Sequence, residues 1–286
     1  MDGLTLDLDR IRTWGCTGVA LPALAGEYPL PTGGNGDRER RELLASVFVA
    51  LYSAVGSAQE MPRQVDPARN AVHQMVIASA ALAASEAESY LVLASLGLES
   101  AAFVHLRSLA ETVRRLVICR RDPNLALRLY QTAEAEWLRL VSTMKIPGVP
   151  APVKGQQTMR DLERTVDFTR AKDEVQAAFH VLDDIEWTMW SKRTHGDIYA
   201  LVDVSQKLAV RGTDVRGAIN DERPAGKSVN GHLMRAIGLC LLALGNVLQE
   251  FDLQAGTVYT VLESRYGTMQ ERDEQTGVLK MPFGTR

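Results

Sequence analysis

Met75-Val76-Ile77-Ala78-Ser79-Ala80-Ala81-Leu82-Ala83-Ala84-Ser85-Glu86 decides the fold class. Nothing in it breaks a helix, and its β-branched residues are few. Small side chains dominate, which lets a second helix approach closely. Met75, Ser79, Leu82, Glu86, Tyr90, Leu93 and Gly97 recur every three or four residues, the spacing of one helical face. The pattern predicts a long helix over 68–95, and Glu86 falls on its expected buried line. A buried carboxylate needs a cation or donors; the plainer reading sets Glu86 at the wet edge of a helix seam.

The same periodicity extends both ways. Asp37 offers an N-cap for a helix to about Ala58, with Leu43, Leu44, Val47, Phe48, Leu51 and Val55 as its stripe. Gly97 marks a turn, and a helix over 100–121 follows with Leu106, Leu109, Ala110, Val113, Leu116 and Val117 inward. Beside that face stand Arg107, Glu111 and Arg114, spaced four and three. They read either as a surface salt-bridge ladder or as cations along a groove. Arg115, Arg120 and Arg121 suit the negative end of the helix dipole.

Asp122-Pro123 ends that helix and opens another to about Met144, with Leu125, Leu129, Ala133, Trp137, Leu140 and Val141 as its stripe. A Pro-rich connector over 147–152 leads into a charged stretch. The last helix expected runs over 229–251. It is apolar on most sides and therefore central. The expected organisation is an irregular N-terminal arm over 1–36, a helical bundle over 37–254 and a C-terminal tail over 255–286, poorly ordered over 264–286. Helices joined by short turns imply an all-α bundle.

Composition narrows the function classes. The chain has 286 residues, 46% apolar and 23% charged, with formal charge −3 and pI near 6.0. No overall basic field exists to hold nucleic acid, so such a role would need a local patch. Cys16, Cys119 and Cys240 form neither a zinc spacing nor a disulfide framework and suit a reducing cytoplasm. No signal peptide is read, and the apolar run Ile237 to Leu248 is too short for a span. No metal or cofactor motif is found; Arg223 to Ser228 ends in Gly-Lys-Ser without the upstream glycine of a phosphate loop.

The densest cluster of reactive side chains is Ile185-Glu186-Trp187-Thr188-Met189-Trp190-Ser191-Lys192-Arg193-Thr194-His195-Gly196-Asp197. It reads as a helix end running into a glycine turn. His195 is either a C-terminal dipole partner, with Gly196 just beyond the helix, or an acid–base group. Trp187 and Trp190 either anchor a core or stack on a base.

Leu106-Arg107-Ser108-Leu109-Ala110-Glu111 and Ser191-Lys192-Arg193-Thr194-His195-Gly196 together resemble an Arg-x-x-x-Glu and a later Ser-x-x-x-His-Gly. Both occur, in that order, in a bacterial family of helical proteins similar to the HEPN superfamily of four-helix bundles. The resemblance spans about 68–253. It implies a metal-independent RNase of toxin or defence type, usually dimeric, with RNA as substrate and an antitoxin or other protein as partner. The superfamily's arginine and histidine stand several residues apart, whereas Arg193 and His195 are separated by one. Metal-free RNA cleavage needs an acid–base group and a clamp for the phosphorane. His195 takes the first role, and Arg193 or Arg107 the second. Glu111 or Glu86 orients an arginine or His195, while Ser191 donates a hydrogen bond. Arg114, Trp187 and Trp190 add substrate contacts. The alternative is a non-enzymatic helical module that binds a nucleotide or a protein partner.

Overall fold

The computed structural model describes residues 35–95, 98–143, 227–253 and 256–276. Among these the protein is all-α, with six helices: α1 (Asn35–Gln59), α2 (Pro67–Ser95), α3 (Glu99–Arg121), α4 (Pro123–Thr143), α5 (Lys227–Glu250) and α6 (Gly256–Thr276). Their starts follow local chemistry. Asp66 accepts the Ala68 amide at 3.2 Å ahead of Pro67, and Asp122 accepts the Leu125 amide at 3.0 Å ahead of Pro123. Each combines a carboxylate cap with proline in the first turn. α1 begins at Asn35, two residues before the expected cap at Asp37.

α1, α2, α3 and α5 form a four-helix core. α1 packs between α2 and α5, α3 packs against α2 and α5, and α2 also touches α5 across the bundle. The stripes expected on α1 and α3 are buried throughout. Each such leucine contributes about 1.5–3 kcal/mol by leaving water. On α2 the buried face is rotated from the expected line. Ser79 and Tyr90 of that line are buried, together with Ala80, Ala83, Ala84 and Ala87, whereas Leu82 is exposed. Close approach of α1, α3 and α5 selects the small side of α2, because a leucine there would hold the backbones apart.

α5 is buried on most sides, from Leu233 to Leu248, because α1, α2, α3 and α6 all pack on it. By length and composition α1, α2 and α5 could each cross a membrane. In α5 the qualifying stretch, Gly231–Glu250, is longer than the apolar run that the sequence suggested. Within the bundle most of the qualifying stretch is buried in α1 and α5, and less than half of it in α2. Cys119 and Cys240 are buried free thiols. Burial pushes the Cys119 thiol up to about 12, despite the opposing Arg115 charge, and pushes Cys240 up as well. Both act as small apolar residues.

The C-terminal tail expected over 255–286 requires correction. Residues 256–276 form α6, which lies on α5 and α1. Val258, Leu262 and Met269 are buried, and Asp273 is buried against Arg40 of α1. At Gly245 of α5, a Cβ would meet the Tyr259 hydroxyl of α6 at 3.1 Å, so glycine permits the close crossing. The tail reading failed because 264–276 is polar by composition. Its few inward residues are recognisable only once α1 and α5 stand beside it.

α4 also departs from its expected stripe. Leu129 is buried, but Trp137 is 63% and Leu140 52% exposed. α4 packs on α2 and α3, and its buried residues, Ala126, Leu129 and Thr132, all lie in its first half.

Candidate functional site

Chain direction sets what meets at each end of the core. α1, α3 and α5 finish at one end, where α2 begins. Arg120 near the end of α3 and His73 near the start of α2 both reach Glu250 at the end of α5. Ala58 and Gln59 of α1 line a cavity there with Phe251.

On α3, Arg107 Nε donates to Glu111 Oε1 at 2.9 Å. This is an ion pair one helical turn apart, which both the salt-bridge-ladder and the groove readings of the sequence contain. The Arg107 side chain is largely buried and that of Glu111 is half-exposed. Burial pulls the Arg114 guanidinium down from its ordinary value, and Glu111 opposes that shift. The Arg107–Glu111–Arg114 edge is thus an electrostatically connected row.

Glu86 belongs elsewhere. Its carboxylate accepts from Ser108 Oγ at 2.9 Å and meets His105 Nδ1 at 2.7 Å. His105 and Ser108 share one side of α3. Arg107 stands about 200° around the helix from His105, at 100° per residue. The described partners of Glu86 therefore lie on the flank of α3 away from Arg107. The Glu86 side chain is only 17% exposed and carries the partners that a carboxylate on the inward line requires, while His105 beside it is partly exposed. His105, which has no partner motif in the sequence, has one in space. The missing signal was register, since 86 and 105 meet only when α2 and α3 fold as an antiparallel pair.

The other sequence-predicted positions, Ser191, Arg193, His195, Trp187 and Trp190, lie outside the described residues. The meeting of His195 with Arg107 is therefore not among the described contacts. Within the described residues, no group of three or more His, Cys, Asp or Glu side chains is arranged to hold a metal ion.

A second constellation escaped the sequence reading. Glu250 ends α5 with its side chain only 7% exposed. It faces Arg120 Nε and His73 Nε2, each at 3.4 Å, and Arg69 Nη1 at 3.7 Å. Arg120 Nη1 also donates to Asn246 Oδ1 at 3.0 Å, and Asn246 Nδ2 donates to the Leu242 carbonyl. His73 is largely buried and lies 4.5 Å from the Phe251 ring between centroids. An available signal was Glu250 itself. An acid in the last turn of a helix opposes the dipole and calls for compensating cations.

Two adjoining cavities open beside this network, with volumes of about 190 and about 300 Å³. Met61, Pro62, His73 and Phe251 line both. Asn70 lines the smaller, and its buried Oδ1 lacks a hydrogen-bond partner among the described residues.

Burial lowers the His73 pKa below 6.5; Glu250 raises it and Arg69 lowers it further. The folded chain therefore prefers the neutral imidazole. Its contribution to stability is complete above the unfolded value of 6.5 and is lost as pH falls through the depressed folded value. Urea midpoints measured at pH 7.5 and pH 5 are expected to drop with acidification, and to drop less in His73→Asn. An equal drop in both proteins would remove His73 from the effect.

No family model, curated protein or solved structure matches the chain.

Proposed function

We propose that the chain is a HEPN-like helical protein of bacterial defence or toxin type that acts in the cytoplasm as a homodimer and cleaves RNA without a metal. His195 serves as the acid–base group and Arg193 clamps the phosphate, with Ser191 and the two tryptophans at the substrate. Arg107 supplies a second guanidinium. The observation that supports this reading is the hydrogen bond from Arg107 Nε to Glu111. A phosphate clamp needs a guanidinium of set orientation, and the carboxylate one helical turn away provides it. Arg114 extends the row towards the basic end of α3.

Purified protein is expected to degrade RNA in EDTA, and Arg107→Ala to slow that cleavage with little change in melting. Wild-type protein that leaves RNA intact under all conditions would overturn the nuclease reading.

A second reading, a non-enzymatic module that binds an antitoxin, another protein partner or a nucleotide, is favoured by α4. Trp137 and Leu140 are the kind of exposed apolar residues that mark partner surfaces.

A further inference from the structure

We propose that α4 is a homodimer interface, in which two copies of the helix pair antiparallel across a two-fold axis. The inference shares the homodimer with the reading above but none of its active residues. Its test reads assembly and not cleavage, so either can fail alone.

Exposure picks out the helix. Eight large apolar side chains are exposed among the described residues, and four of them, Tyr130, Trp137, Leu138 and Leu140, stand on α4. Such a concentration marks a contact surface, where scattered residues would not.

Two lines run along α4. Ala126, Leu129 and Thr132 are buried where the helix packs on α2 and α3. The second line holds Pro123, Leu127, Tyr130, Glu134, Trp137 and Val141. At 100° per residue it is centred about 120° around the helix from the first. Tyr130, Glu134 and Trp137 are exposed, and Pro123, Leu127 and Val141 partly so. Successive gaps are four, three, four, three and four residues, the alternation of a coiled-coil seam. Leu138 and Leu140 widen the apolar surface, one on each side of it.

This series of gaps reads the same in both directions, which favours a second copy as the occupant. Laid antiparallel with residue 132 at the axis level, two α4 helices match seam position to seam position. Pro123 meets the partner's Val141, Leu127 meets the partner's Trp137, and Tyr130 meets the partner's Glu134. Each layer occurs twice, as an isologous contact requires, and no seam position is left over. The chemistry agrees with the spacing. Glu134 is the one charged residue on the line, and the residue opposite it carries the one hydroxyl. Tyr130 Oη donates to that carboxylate, which covers the cost of desolvating it. Parallel pairing would instead set Glu134 against the partner's Glu134, and like charges across an interface repel. A polar residue in such a seam lowers stability and fixes the register.

Sedimentation of the full chain at micromolar concentrations is expected to show a dimer. Trp137→Glu should weaken it by at least about 30-fold, the effect of losing an interface anchor, with helical content by circular dichroism unchanged. Tyr130→Phe should weaken it about tenfold by stripping the carboxylate of its donor. Register is read by disulfide trapping. Leu127→Cys protein oxidised together with Trp137→Cys protein should give a covalent dimer, and neither should alone. In this pairing the two copies of position 127 stand about 15 Å apart along the axis, beyond disulfide reach. A chain that stays monomeric would overturn the proposal, whether or not Trp137 then binds phospholipid vesicles or another protein. So would a dimer that Trp137→Glu leaves intact, or trapping by Leu127→Cys alone, which would mean a parallel pair.

Discussion

Asp273→Ala is expected to destabilise the protein by about 3–5 kcal/mol, the usual cost of breaking a buried ion pair from one side. Asp273 and Arg40 side chains are only 1% and 4% exposed. Arg40 Nε donates to Asp273 Oδ2 at 3.3 Å, and Arg40 Nη2 donates to Asp273 Oδ1. This two-point geometry offsets much of the desolvation cost. Alanine removes both acceptors and leaves a buried guanidinium without this carboxylate. The Tyr266 hydroxyl shares the environment. Burial pushes it up to about 12; Arg235 opposes that and Asp273 adds to it. At roughly 2–4 °C per kcal/mol for a chain of this size, melting should fall by roughly 6–20 °C. Amide exchange across 256–276 should rise first, because this pair joins α6 to α1. The double variant Arg40→Met with Asp273→Leu should recover most of the loss, since an apolar pair avoids desolvation altogether. A loss below about 1 kcal/mol for Asp273→Ala would show that α6 does not seal this pair from water.

His195→Ala is expected to reduce RNA cleavage by about 10²–10⁴-fold, the range for removing a general acid or base. Melting should stay within a degree or two of wild type (about 0.5 kcal/mol). Single-turnover cleavage in EDTA measures the first quantity and calorimetry the second. A large fall in melting temperature with unchanged cleavage would assign His195 to a structural clasp and remove it from the chemistry. The rate should also follow the titration of a group near neutrality in wild type, and that dependence should vanish in the variant.

The helical class was legible because periodicity is a local property. Leu43, Leu44, Val47, Phe48 and Leu51 need only be spaced correctly along one segment for α1 to be recognised. Arg107–Glu111 was equally legible, since a spacing of four already places two side chains together. Glu86–His105, Arg40–Asp273 and the convergence on Glu250 were not. Each joins residues tens to hundreds of positions apart, and only helix direction and register bring them together.

Spacing alone thus determined where five of the six described helices run, which faces of α1 and α3 turn inward, and that Glu111 stands beside Arg107. Packing decided the rest. It turned the alanine side of α2 inward because neighbouring backbones come close. It made a helix of the polar segment 256–276 because α1 and α5 supply its apolar bed and a cation for Asp273. It also brought Arg69 and Arg120, from two other helices, to the acid at the end of α5, with the neutral His73 imidazole beside them.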